Sequence, residues 1–483
     1  MSENGQAPAL VGTRLSIMMF LEFFIWGAWY VTVGNYMGAH EMGDAVYWAY
    51  TVCPIAAIIS PFFLGMVADR FFASERVLGV MHLLGGIAMF LTPLAADAGP
   101  VAFIILLLLH ALCYMPTLGL TNSLAFHNIT SQEKQFPIIR VFGTIGWIVA
   151  NWVVSAWLHA DKDPRQFYVT GAAAVLLGLY SFTLPHTPPP AAGKKTHVKE
   201  VLGLDALRRL SSFPFWVFIV SSFLICIPLA AYYSYAPVYA DAVGFKDVAF
   251  NMSFGQVAEI FFMLVMPLFF AFLGVKWMLL VGMLAWVVRY GLFAGAASTG
   301  VLWMVVGGIL LHGICYDFFF VTGFIYTDKK CTPEIRGQAQ GLLVLVTQGL
   351  GLGIGALVIG KIRNGFMAEN HDQLVAQAGA LRSEVRALDQ LHSVLETLRE
   401  QAANLPETLR AQAELLWQQA EPFFATTATK WQQSTELMLQ ASNWRMTWLI
   451  PCIMAGVIMI LFFLLFHDKT VRAKRDASEA KPD

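Results

Sequence analysis

Charge is scarce in this sequence. Lys and Arg number 31 and Asp and Glu 32 in 483 residues, 13% of the chain, about half the share of a soluble globular domain. Seventeen of these charges fall between Arg363 and Arg445, so the remainder is poorer still. Neither sign is in surplus: the net charge is −1, which argues against a nucleic-acid partner. Cysteine is also sparse. Cys53, Cys113, Cys226, Cys315, Cys331 and Cys452 are scattered, with neither metal-ligand spacing nor a disulfide framework. There is no His-Glu-x-x-His and no Gly-x-Ser-x-Gly, so an enzyme is disfavoured and no metal or cofactor is expected. A cleavable leader is not expected either. One basic residue, Arg14, precedes the first apolar run, and no small-residue cleavage site follows it.

What the chain has instead is apolar length. Hydrophobic residues make up 57% of it, more than a soluble domain of this size can bury. A membrane helix needs about 20 apolar residues. The runs predict twelve spans, near 14–37, 45–68, 77–96, 100–124, 137–158, 167–185, 214–239, 250–273, 276–297, 301–325, 338–362 and 444–466. The expected architecture is therefore an all-α polytopic membrane protein. Its parts are a six-helix half over 1–185, a polar linker over 186–213, helices seven to eleven over 214–362, an insertion over 363–443, helix twelve over 444–467 and a tail over 468–483. Two six-helix halves are the outline of a major facilitator transporter, with its substrate site at the midplane. Lys194, Lys195, Lys199, Arg208 and Arg209 crowd the linker, whereas the short loops on the other side keep only Lys162, Arg165 and Lys246. By the positive-inside rule, both termini and the linker are cytoplasmic and the insertion is external, in a cell (inner) membrane.

The insertion reads differently from the spans. Leu374, Leu381, Leu388 and Leu395 recur every seven residues, with Glu and Arg between them. That is an amphipathic helix of coiled-coil type. Leu405-Pro406-Glu407 breaks it and starts a second helix, which Pro422 is expected to end. The favoured expectation is a helical hairpin packed on itself; the alternative is a docking element for a protein partner.

Polar residues inside apolar spans are functional candidates, because burying charge in lipid is costly. Span five carries Arg140, Thr144 and Trp147 on one helical face. Arg140 offers a fork of donors and Trp147 a flat ring; the alternative for Arg140 is snorkelling to the membrane surface. Span eight carries Gln256 and Glu259. Span ten carries His312 and Tyr316 on one face with Asp317 beside them. Span one carries Glu22, Trp26 and Trp29. Asp317, Glu259 and Glu22 are the candidate proton carriers, in that order. A carboxylate there requires a proton, water or a partner; the structural alternative pairs Glu259 with Arg289 or Arg140, and Asp317 with Arg289. Gly349, Gly351, Gly353 and Gly355 read as helix packing rather than a phosphate loop, and the sequon Asn128-Ile-Thr130 faces the cytoplasm.

Several motifs carry a family resemblance. Gly65-Met-Val-Ala-Asp69-Arg70 resembles the loop signature between helices two and three of the major facilitator superfamily, so Gly65, Asp69 and Arg70 are its candidate gating loop. Tyr114-Met-Pro-Thr-Leu-Gly-Leu-Thr-Asn122, Arg140-Val-Phe-Gly-Thr-Ile-Gly146, Trp26-Gly-Ala-Trp29, Leu202-Gly-Leu-Asp-Ala206, Tyr316-Asp-Phe-Phe319 and Arg336-Gly-Gln-Ala-Gln-Gly341 resemble the nucleoside:H+ symporter family over nearly the whole chain outside 363–443. The resemblance implies proton-coupled nucleoside uptake by alternating access. It implies nucleoside contact at Arg140, Thr144, Gln256, Glu259 and Asp317, with Trp147 and Tyr316 at family aromatic positions. Two departures bear on the substrate. His312 stands where a tyrosine is expected, and span seven offers Tyr232, Tyr233 and Tyr235 where the family places amides. A proton-coupled transporter of sugars or other polar metabolites is the alternative.

Overall fold

The structure, a computed structural model, describes residues 8–63, 72–189, 204–332, 335–402 and 406–467. The expected gating loop, Gly65, Asp69 and Arg70, lies outside the described residues, as do much of the linker and the tail. Among the described residues every extended element is helical, and nine helices are long and apolar enough to cross a membrane. One of them, Val248–Thr299, runs for 52 residues. At about 1.5 Å per residue that is far longer than a bilayer core. It breaks at Gly274 (φ 65°, ψ 178°), a backbone conformation open to glycine, so two helices follow one another there. Two shorter apolar helices, Val46–Phe63 and Arg165–Ser181, pack among the long ones. Leu264, Phe272 and Trp303 stand on the outer surface, each well over half exposed, as suits side chains solvated by lipid.

Close helix contacts fall at glycines. In the first bundle, formed by helices within 8–181 (the second is formed by those within 213–364 and 444–465), helix Pro8–Tyr30 lies against Gln132–Asn151 so tightly that a Cβ on Gly146 would collide with the Phe20 carbonyl. In the second bundle, a Cβ on Gly313 would lie 2.6 Å from the Ala258 carbonyl oxygen. Between the bundles, Gly349 and Gly353 face Ile58 and Pro54 at 2.9 and 3.2 Å from their would-be Cβ atoms. These glycines are the packing surface expected of small residues in membrane helices. Among the described residues, three spans contain π-helical turns, at Trp152–Trp157, Asp317–Val321 and Leu345–Gly351. Such turns recur at functional positions.

Among the described residues, the segment expected to be the insertion holds three helices, His371–Ala402, Glu407–Phe424 and Thr427–Gln440. The second runs two residues past Pro422, and the third was not expected. Met367 and Ser442 pair as an antiparallel bridge at the neck. The Ala368 N–H donates to the Ala441 carbonyl at 3.1 Å, and the Asn443 N–H to that of Phe366 at 2.8 Å. The insertion therefore leaves and re-enters the bundle at one point.

Candidate functional site

The first bundle presents an aromatic wall. Trp26 and Trp147 meet edge to face at 5.5 Å between ring centroids, and Tyr30 lies 5.6 Å from Trp26 and 6.2 Å from Trp147. The close approach of spans one and five at Gly146 sets this wall. Arg140, about two turns before Trp147, is half-buried with its guanidinium 4.1 Å from the centre of the Phe23 ring. That stacking packs the fork against span one. Thr144 is half-buried on the same face. The indole N–H groups of Trp26 and Trp147 are buried and donate to nothing among the described residues.

The second bundle supplies the opposite wall. Tyr233 meets Tyr30 across the interface at 6.2 Å, with the rings crossed. His312 stacks on Tyr232 at 5.3 Å and 18° and lies 5.9 Å from Tyr316. Gly313 brings span ten onto span eight, and His312 Nε2 comes to 3.8 Å from Glu259 Oε2. Glu259 and Tyr316 are also within electrostatic reach of Arg140, although Arg140 and Glu259 form no ion pair. Gln256 is half-buried one turn before Glu259.

Asp317 is fully buried at the first residue of its π-helical turn. Neither carboxyl oxygen has a hydrogen-bond donor among the described residues. Arg289, its expected partner, is engaged elsewhere: Nε donates to the Gly308 carbonyl at 2.9 Å, and the guanidinium lies 4.0 Å from the centre of the Tyr232 ring. The pairing of Arg289 with Asp317 or Glu259 weighed from the sequence is therefore absent. An ionised carboxylate without donors is costly in such surroundings, and a protonated one costs far less. Glu22 is the opposite case. It is fully buried, yet its oxygens meet His82 Nε2 at 2.8 Å and accept from Thr117 Oγ1 at 2.6 Å, while Tyr114 OH donates to its backbone carbonyl at 2.8 Å.

The structure thus brings Arg140, Trp147, Glu259, His312 and Tyr316 to one interface between the bundles and sets Asp317 just behind it. Glu22 lies inside the first bundle. Tyr30 and His82 were not singled out from the sequence, whereas Tyr233 is one of the span-seven tyrosines that stand where the family places amides. A histidine within the apolar run 77–96 was the available signal for His82.

Residues 10–376 match the nucleoside H+ symporter family. YegT of Escherichia coli (strain K12), a provisionally named nucleoside transporter, is 43% identical over 70% of this chain and 81% of its own length. The xanthosine permease of the same organism is 33% identical over 74% and 89%. The crystal structure of the nucleoside transporter NupG is similar in fold, with a TM-score of 0.72 at 24% identity over 95% of this chain and 99% of that one.

Proposed function

Because this chain belongs to the nucleoside H+ symporter family, we propose that the interface described above is where it binds a nucleoside and couples the movement of that nucleoside to a proton. The chain is a multi-pass membrane transporter of the major facilitator type, not an enzyme, and it works by alternating access. The observation that supports this reading is the meeting of side chains from opposite bundles: Arg140 lies within electrostatic reach of Glu259 and Tyr316, and Tyr30, which packs on Trp147, meets Tyr233. A nucleoside has a flat base and a hydroxylated ribose. Trp147 and Tyr316 suit the base, since rings attract in offset or edge-on geometry. Arg140, Gln256, Glu259 and Thr144 suit the hydroxyls, with His312 beside Glu259. A molecule between the walls touches both bundles at once, as a substrate must if its binding is to favour the rocking of one bundle against the other.

Asp317 is the proposed proton carrier. Its buried, donor-free position favours the neutral form, and a rearrangement that admits water or a cation releases the proton. Glu259 is the second candidate. Glu22 is the third, and its full set of partners fits a brace for span one. The proposed membrane is the cytoplasmic (inner) one, with both termini and the linker in the cytoplasm and the insertion outside, on the Lys/Arg asymmetry. The halves are taken as 1–185 and 214–362 with 444–467, giving twelve crossings, and the 65–70 loop as the inner gate.

Counterflow in proteoliposomes tests the substrate. Radiolabelled uridine and adenosine are expected to exchange and a hexose is not. If the hexose exchanges and the nucleosides do not, the site is a sugar site and the nucleoside reading fails.

A further inference from the structure

On the insertion side of the molecule, one carboxylate is held by cations from two different bodies. Asp241 ends span seven, in the second bundle, and is nearly buried. Its Oδ2 lies 2.8 Å from Nζ of Lys162, in the loop after span five of the first bundle. Its Oδ1 lies 2.8 Å from Nη1 of Arg382, in the first helix of the insertion. Arg382 also donates from Nη2 to the Asp241 carbonyl at 2.8 Å and from Nε to Ser434 Oγ at 3.2 Å. The insertion is rooted in the second bundle at both ends, so Arg382 and Asp241 travel together. Lys162 does not travel with them.

We propose that Lys162–Asp241 is the contact that must break when this face of the transporter opens, and that Arg382 of the insertion is the permanent partner that lets it break. The reasoning is electrostatic. A buried carboxylate that loses its only cation is strongly destabilised. With Arg382 holding it at two atoms, Asp241 stays paired after Lys162 departs. Arg382 also opposes Lys162 directly, since two cations on one carboxylate repel each other. Both effects lower the cost of opening. The insertion is thereby a tuning element of the transport cycle and not merely an appended hairpin. This inference rests on the alternating-access reading but not on the identity of the substrate.

The test uses the full-length protein with spin labels at Asp97→Cys and Ser298→Cys, exposed positions on the insertion side of the first and second bundles, with the native cysteines replaced. The readout is the distribution of distances between the labels. Lys162→Gln is expected to raise the long-distance population, by roughly fivefold, the upper end for a partly exposed ion pair. Arg382→Gln is expected to lower that population and to slow uptake, and Arg382→Lys to restore both in part. Equal melting temperatures across the variants separate these shifts from a loss of folding. The proposal is overturned if Lys162→Gln leaves the distribution unchanged, or if Arg382→Gln opens the face as Lys162→Gln does. Neither result would bear on whether nucleosides are the substrate, which counterflow measures separately.

Discussion

Glu259 Oε2 stands 3.8 Å from His312 Nε2, too far for a formed hydrogen bond. The gap is set by two glycines, since a Cβ on Gly255 would lie 3.1 Å from His312 Cβ and one on Gly313 would collide with the backbone of span eight. A bound hydroxyl or a water can bridge such a gap. His312→Phe keeps the stack on Tyr232 but removes the ring nitrogens. Nucleoside affinity is expected to fall by roughly three- to tenfold, the value of one hydrogen bond, and His312→Ala should cost more because the stack is lost as well. Titration calorimetry in detergent measures both. Unchanged affinity in His312→Phe would remove His312 from the site.

Arg140 and Trp26 make a second comparison. Both face the interface, but Arg140 offers a charged donor fork and Trp26 mainly packs against Tyr114 and Trp147. A buried charged hydrogen bond is worth roughly 1.5–3 kcal/mol. Arg140→Ala should therefore weaken nucleoside binding by about tenfold to a hundredfold, and Trp26→Ala by clearly less. Equal losses would mean that the wall acts through shape alone.

Span packing gives a stability prediction. Gly146→Ala places a methyl group against the Phe20 carbonyl, whereas an alanine at Gly12 meets nothing within 4 Å. Overpacking of this kind costs roughly 1–3 kcal/mol. The melting temperature of purified Gly146→Ala should drop by several degrees while that of Gly12→Ala holds. Matching melting curves would show that spans one and five are looser than described.

Asp161 supplies a pH dependence at the insertion-side face. Burial raises its pKa from the ordinary 3.8 to about 6, against the opposing effect of hydrogen bonds from the Val248 N–H and Ser155, and nearby Asp241 and Asp247 push the same way as burial. Val248 belongs to the second bundle and Asp161 to the first, so the contact exists only while this face is closed. A pKa raised on closure means that closure takes up a proton. Closure is therefore most favoured below the ordinary pKa, weakens as pH rises toward about 6 and is level beyond that. The 97–298 label distances should shorten between about pH 7 and about pH 4.5, and the part of that shift due to Asp161 should vanish in Asp161→Asn. A shift of the same size in the variant assigns the effect to other groups.

Much of this arrangement is legible in the residues themselves. Charge is expensive in lipid, so long uncharged runs mark helices, and the few charges within them mark the interface: Arg140, Glu259 and Asp317 all stand out this way. The break at Gly274 falls at the short gap between the eighth and ninth predicted spans. Tyr30 was not legible, because an aromatic ring in lipid ordinarily packs and its contact with Tyr233 joins residues some two hundred positions apart. The partner of Arg289 was misjudged for a related reason. Its neighbours are a carbonyl and a ring rather than a carboxylate, and no spacing rule reveals that. The third insertion helix escaped notice because the turn before it, Ala425-Thr426, contains neither glycine nor proline.

Proton coupling through Asp317 is the central claim, and Asp317→Asn is its most direct test. The substitution keeps the shape of the side chain and removes its exchangeable proton. In proteoliposomes with an inward-directed proton gradient, the wild-type protein should concentrate labelled nucleoside inside. The Asp317→Asn variant should lose that accumulation entirely, yet bind nucleoside and catalyse counterflow at close to the wild-type rate. If the variant still accumulates nucleoside against its gradient, Asp317 is not the carrier and the role passes to Glu259.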